Sequence, residues 1–68
     1  MGQPITQKSK DEFAKVCRAW RARRGYSQSE AALSLGLTSV RTLQNWEIAR
    51  TRPSGVLAGL LLELFSEK

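Results

Sequence analysis

The stretch Gly36-Leu37-Thr38-Ser39-Val40-Arg41-Thr42-Leu43-Gln44-Asn45-Trp46-Glu47 decides how the rest of this chain is read. It joins a tight turn, a capped start and a short helix with two unlike faces. Gly36 suits a corner that needs positive φ. Ser39, with Thr38 as the alternative, stands where a side-chain oxygen caps the first free N–H groups. Val40, Leu43 and Trp46 recur at three-residue steps, so one stripe can anchor in a core. Arg41, Thr42, Gln44 and Asn45 point elsewhere. Arginine pairs with guanine, glutamine or asparagine with adenine, and threonine with either kind of edge. A helix pinned by one apolar face and offering these groups on the other suits a major groove.

Just upstream, Ser27-Gln28-Ser29-Glu30 is a capping box with Tyr26 before it as a staple residue. It predicts a second short helix whose inner face is Ala31, Ala32 and Leu35, ended by Gly36. Gln28 sits where N–H groups and a side-chain amide can hold one phosphate; an ordinary exposed first-turn residue is the other reading. Two short helices joined by such a turn form the helix-turn-helix pattern.

Further back, Ser9-Lys10-Asp11-Glu12 fits another capping box and predicts helix 1 from Ser9. Phe13, Val16, Cys17 and Trp20 recur at the helical interval, and Gly25 follows as a left-handed cap. Arg18, Arg21, Arg23 and Arg24 gather at the end of this segment, either as partners of the helix dipole or as phosphate contacts. Met1 to Lys8 reads as a flexible arm, and Lys8 and Lys10 leave contact with DNA open. The division expected is an arm over residues 1–8 and one domain over 9–68.

Downstream, the recognition segment is expected to run to Ile48 or Ala49. A basic connection containing Arg50, Thr51 and Arg52 follows, and Pro53 stops the helix. Ser54 is placed to cap a fourth helix over Gly55 to Phe65. That segment is apolar nearly all round and should be covered nearly all round. Three other helices hardly suffice, so Leu57, Leu61, Leu62, Leu64 and Phe65 are expected to meet a second subunit. A lone exposed Leu62 with the rest in the core is the alternative.

Composition narrows the function classes. In 68 residues there are eleven Lys and Arg against six Asp and Glu, a net charge of +5, which favours a polyanionic partner. One cysteine and no histidine leave no internal disulfide and no zinc cluster. No catalytic constellation, phosphate-cradling glycine loop or cofactor motif is present. Cys17 shares an apolar face with Phe13 and Trp20, which reads as core. The N-terminus lacks the build of a signal peptide, and Val56 to Leu62 is far too short to cross a bilayer. These features point to a cytoplasmic protein with no membrane partner, and not to an enzyme.

At Ser27-Gln28-Ser29-Glu30, Gly36, Ser39 and Arg41-Thr42-Leu43-Gln44-Asn45-Trp46-Glu47 the sequence resembles the Xre/Cro/CI family of helix-turn-helix DNA-binding domains. The resemblance spans about Phe13 to Phe65. The run from Val40 to Glu47 with Arg50-Thr51-Arg52-Pro53-Ser54-Gly55 is similar to a branch of bacterial antitoxins and small repressors. It implies an all-α, lambda-repressor-like domain of four helices, or five. It places Gln28 on phosphate and Ser39 at the cap. It sets Val40, Arg41 and Thr42 at the groove, Asn45 on a base and Gln44 at the groove's edge. Arg50, Thr51 and Arg52 would grip phosphates. Glu47 matches a structural position paired to an arginine of helix 1, here Arg21 or Arg18. Three departures stand out. The turn Gly36-Leu37-Thr38-Ser39 has one residue more than the common pattern. Ala49 stands where the family usually has glycine. The chain also stops after the fourth helix, which leaves that helix less covered and favours a dimer.

The function implied is a sequence-specific double-stranded DNA-binding regulator, repressor-like, that binds a palindromic operator as a homodimer. The alternative is an antitoxin or adaptor whose main role is to hold a partner protein, such as a cognate toxin.

Overall fold

The computed structural model describes residues 6–66. Four helices follow one another: α1 (Gln7–Arg24), α2 (Gln28–Ser34), α3 (Val40–Glu47) and α4 (Gly55–Phe65). α1 packs on α3 and on α4, and α2 packs on α3, so α1 is the spine that holds the others.

α1 begins two residues before the expected Ser9. Thr6 is the cap, its hydroxyl accepting from the Ser9 N–H at 3.1 Å. Tertiary contacts account for the extra turn. The Gln7 amide donates to the Ala49 carbonyl at 3.1 Å and to Asp11 at 3.0 Å, while the Ser9 hydroxyl is taken by the Arg52 guanidinium. Gln7 and Lys8 therefore belong to a helix and not to an arm. The rest of the expected arm, residues 1–5, lies outside the described residues.

Phe13, Cys17 and Trp20 form the buried face of α1, as their spacing predicts. Every aromatic residue of the chain joins one row through the core. Trp46 meets Phe13 edge-on at 5.5 Å, Phe13 meets Phe65 at 5.7 Å, Phe65 meets Trp20 at 5.0 Å, and Trp20 meets Tyr26 at 5.6 Å. Edge-on and tilted pairs of this kind add about 0.5–1.5 kcal/mol each beyond the area they bury. The row ties α3, α1 and α4 together and reaches the loop after α1. Ala31 and Ala32 are buried between α2 and its neighbours, their small size letting the helices come close.

Three of the helices end in the same way. After α1, Gly25 N–H bonds Ala22 O and Tyr26 N–H bonds Arg21 O. After α2, Gly36 bonds Leu33 and Leu37 bonds Ala32; after α3, Ala49 bonds Trp46 and Arg50 bonds Asn45. Each is a paired bond across a left-handed residue, the arrangement that satisfies the last carbonyls of a helix. Gly25 and Gly36 take φ of 70° and 72° without strain. Ala49 takes 61° with a Cβ in the way. The departure at Ala49 therefore does not lengthen α3: the helix ends at Glu47 and the alanine adopts the glycine conformation.

α4 spans the residues its sequence predicts, but Ser54 makes no side-chain capping bond. Its inner side is Ala58, Leu61 and Phe65, with Leu62 and Leu64 partly covered against the core. Leu61 and Phe65, expected at a subunit interface, are buried in the core of their own chain. The exposed side is Val56, Leu57 and Leu60, 80%, 53% and 60% accessible. Of the expected interface set, Leu57 is the member left open to solvent.

Relief of the strain at position 49 is measurable. Ala49→Gly is expected to raise stability by about 1 kcal/mol, or roughly 4–8 °C in Tm for a domain of this size. Thermal unfolding checks it, and a lower Tm would show that Ala49 is not strained in solution.

Candidate nucleic-acid interface

The candidate surface is built on α2, the turn after it and α3. Ser39 caps α3 by accepting from the Arg41 N–H at 3.1 Å. Leu43 and Trp46 are buried and fix the rotation of the helix about its axis. Arg41, Gln44 and Ile48 are thereby exposed, and Thr42 and Asn45 half-exposed. Arg41 and Asn45 lie one turn apart and share a face. The Arg41 guanidinium has no partner among the described residues. Val40 packs partly against the core, so it is less available to a groove than its neighbours.

Beneath this surface lies a buried carboxylate. Glu47 is 4% exposed and accepts from Arg21 at both oxygens, Nε to Oε2 at 2.6 Å and Nη2 to Oε1 at 3.2 Å. Arg21 Nη1 reaches the Tyr26 carbonyl at 3.1 Å, and Arg18 donates to the Glu47 backbone carbonyl. Gln28 adds a third donor to Glu47 through Nε2 at 3.0 Å, and its Oε1 accepts from Gln44 Nε2 at 3.2 Å. A buried charge is costly unless paired and hydrogen-bonded, and each oxygen here has a donor. Arg21 is the helix 1 partner expected for Glu47. Arg18 and Arg21 fasten the end of α3 to α1.

Burial pushes the Cys17 thiol from 9.0 up to about 12, with the nearby charge of Glu47 acting in the same direction. It is wholly enclosed, as expected for a core residue. Glu30 is held below the usual carboxylate range by the backbone N–H of Ser27, the return bond of the capping box.

Arg50 and Thr51 are exposed beyond α3. Arg52 is not. Its Nε donates to the Pro53 carbonyl at 2.9 Å, its Nη1 reaches Ser9, and the guanidinium lies 5.5 Å from the centre of the Phe13 ring. Arg52, expected at a phosphate, is placed here with its guanidinium latching the loop after α3 onto the start of α1. Arg23 likewise donates to the Phe65 carbonyl at the end of α4. Gln28, expected at a phosphate, has its side chain turned toward Glu47 and Gln44. No local signal foretold this, because the capping box fixes the backbone of Gln28 and not the direction of its amide.

A helix-turn-helix family model matches residues 18–67, from the second half of α1 through α4. The chain belongs to the Xre/Cro/CI-type helix-turn-helix family. It is thus a DNA-binding helix-turn-helix regulator, with α2 and α3 as the motif of the family. The family is typically non-enzymatic. No curated protein and no solved structure matches the chain significantly. Among the described residues, no helix is long and apolar enough to cross a membrane.

Two measurements probe this underside. Arg21→Ala leaves the Glu47 carboxylate buried with reduced support and is expected to cost about 3 kcal/mol in urea unfolding. Glu47→Ala should cost less, because Arg21 is 27% exposed and can turn to water. The reverse order would mean that the carboxylate is not buried in solution. Cys17 is expected to resist alkylation in the native protein and react fully in denaturant. The stability its neutral thiol carries is complete below pH 9.0 and declines as pH rises toward about 12.

Proposed function

We propose that this regulator reads a specific palindromic operator as a homodimer, with α3 of each subunit in the major groove, and represses by occupying the site. The observation that carries the reading is the pair Arg41, exposed, and Asn45, half-exposed, one turn apart on a helix whose opposite side is locked by Leu43, Trp46 and Glu47. A rigid helix fixes the points from which these two side chains reach out, and they discriminate guanine and adenine edges. Ser39, Thr42 and Gln44 flank them. Arg50 and Thr51 take the phosphates beyond the helix, and Gln28 supports from α2. Arg52 acts from behind by fixing the loop that carries Arg50.

The exposed side of α4 supports the dimer. Val56, Leu57 and Leu60 carry no charge, so two copies can face each other without desolvating an ion. α4 packs mainly on α1, which leaves α3 clear. A two-fold pair places the two recognition helices about 34–36 Å apart, one turn of DNA. Leu62 and Leu64 form the half-covered margin of the same contact.

Selection of duplexes from a random pool, followed by sedimentation of the free protein and of Leu60→Glu, tests the reading. A palindromic consensus with half-sites one turn apart is expected, together with a dimer that Leu60→Glu converts to a folded monomer. Arg41→Ala should cost about 1–3 kcal/mol on the consensus and much less on unrelated duplexes. A monomer that binds all sequences alike would refute the operator model. A folded monomer that binds DNA only with a second protein seated on α4 would favour the antitoxin or adaptor reading.

A further inference from the structure

The outward face of α3 ends on an apolar side chain. Ile48 is the residue just past the helix, and its N–H still bonds the Gln44 carbonyl at 3.1 Å, so its Cα stays on the helical path. Arg41 lies almost two helical turns before it, which points the two side chains in nearly the same direction. Gln44 and Asn45 stand beside it on that face. The backbone on either side of Ile48 is held from α1: Arg18 donates to the Glu47 carbonyl, and the Gln7 amide to the Ala49 carbonyl at 3.1 Å. Ile48 is nevertheless 67% exposed and lies outside the apolar cluster of the core. Being β-branched, it has few rotamers to lose when something closes on it.

We infer that Ile48 reads the C5-methyl group of a pyrimidine in the major groove, carried by thymine or by 5-methylcytosine. The inference rests on the reading of α3 as the groove helix. The position follows from the helix. From Arg41 to Ile48 the axis rises about 10 Å, the height of about three base pairs. The chemistry follows from what a groove displays. Its base edges carry hydrogen-bond donors and acceptors, and their one apolar substituent is the methyl on C5 of thymine. 5-Methylcytosine carries the same group on the same ring atom. Isoleucine pressed on a polar edge or a phosphate would strip water without returning a hydrogen bond. Pressed on a methyl group, it buries carbon against carbon. A protein partner fits the place less well, because Arg41, Gln44 and Asn45 surround Ile48 with polar groups and leave no broad apolar patch. The other large apolar residues open to solvent, Leu33, Val56, Leu57 and Leu60, belong to α2 and α4.

The test uses the full chain and the consensus duplex found by selection. Each thymine of one half-site is replaced in turn by deoxyuridine, which removes the methyl group alone. Each cytosine is replaced in turn by 5-methylcytosine, which adds one. Affinity is expected to fall about fourfold at one thymine, or to rise about fourfold at one cytosine, the worth of one buried methyl group. The first result assigns the site to thymine and the second to 5-methylcytosine. The sensitive pyrimidine should lie about three base pairs from the pair whose preference Arg41→Ala erases. Ile48→Ala should bind the duplexes with and without that methyl group alike, with the preference set by Arg41 unmoved.

Indifference of the unaltered protein to the methyl group at every pyrimidine would overturn the inference while leaving the operator reading intact. A methyl effect undiminished in Ile48→Ala would also overturn it. An equal loss on all sequences in Ile48→Ala, with no methyl effect, would place the side chain on the sugar-phosphate backbone and overturn it as well. A protein without any consensus would fail the operator reading and the inference together. Should Ile48→Ala not fold, Ile48→Asn takes its place: asparagine suits a helix end and has no methyl group to offer, so the same indifference is expected.

Discussion

The carboxylate of Glu47 is the point on which the arrangement of helices depends. It sits on α3, its countercharge comes from α1 and its third donor from α2. Three helices therefore meet at one ion that cannot be left without partners. An ion pair of this kind contributes little net stability, because desolvation offsets most of the attraction. What it does contribute is intolerance of misplacement. A rotation of α3 about its axis, or a slip of α2 along it, would strand a charge in a low-dielectric interior. The outward face of α3 inherits that intolerance, which is what a reading surface requires.

α3 has eight residues, too few for a helix to persist in water on its own. Its stability is borrowed. Ser39 closes the first turn, the paired bonds after Ala49 close the last, and Leu43 and Trp46 supply the apolar contact. Arg18 and Gln7, both from α1, hold carbonyls at the far end and just past it. Part of the basic character that suggests a nucleic-acid partner thus goes to contacts within the molecule. Arg18, Arg21 and Arg52 shape the surface, while Arg41 and Arg50 are exposed on it.

Features set by neighbours in sequence were legible from the start. Ser27 and Glu30 announce α2 because a capping box needs only residues three apart, and Gly25 and Gly36 mark left-handed ends for a similarly local reason. The stripe of Leu43 and Trp46 gave the rotation of α3. Features set across the fold were not legible. Thr6 begins α1 ahead of the equally good local signal at Ser9 because Gln7 and Ser9 gain partners some forty residues away. Arg52 looks like any loop arginine until Phe13 and Ser9 are found beside it. In α4 the pattern itself is silent: with apolar residues on every side, periodicity cannot tell that Leu61 turns inward and Leu60 outward. The amide of Gln28 depends on which atom of Glu47 it meets, a matter no spacing encodes.

The aromatic row has an optical consequence. Trp46 lies at the seam between α1 and α3, and Trp20 lies against Phe65 where α4 closes on α1. Both indoles are shielded from water, 5% and 2% exposed. Each emits from a different contact, so the chain carries two native fluorophores that divide the molecule between them. A partial opening that released α4 would redden Trp20 and leave Trp46 dark to the change, whereas loss of the reading helix would do the opposite. The order in which this small domain loosens is written into the colour of its own light.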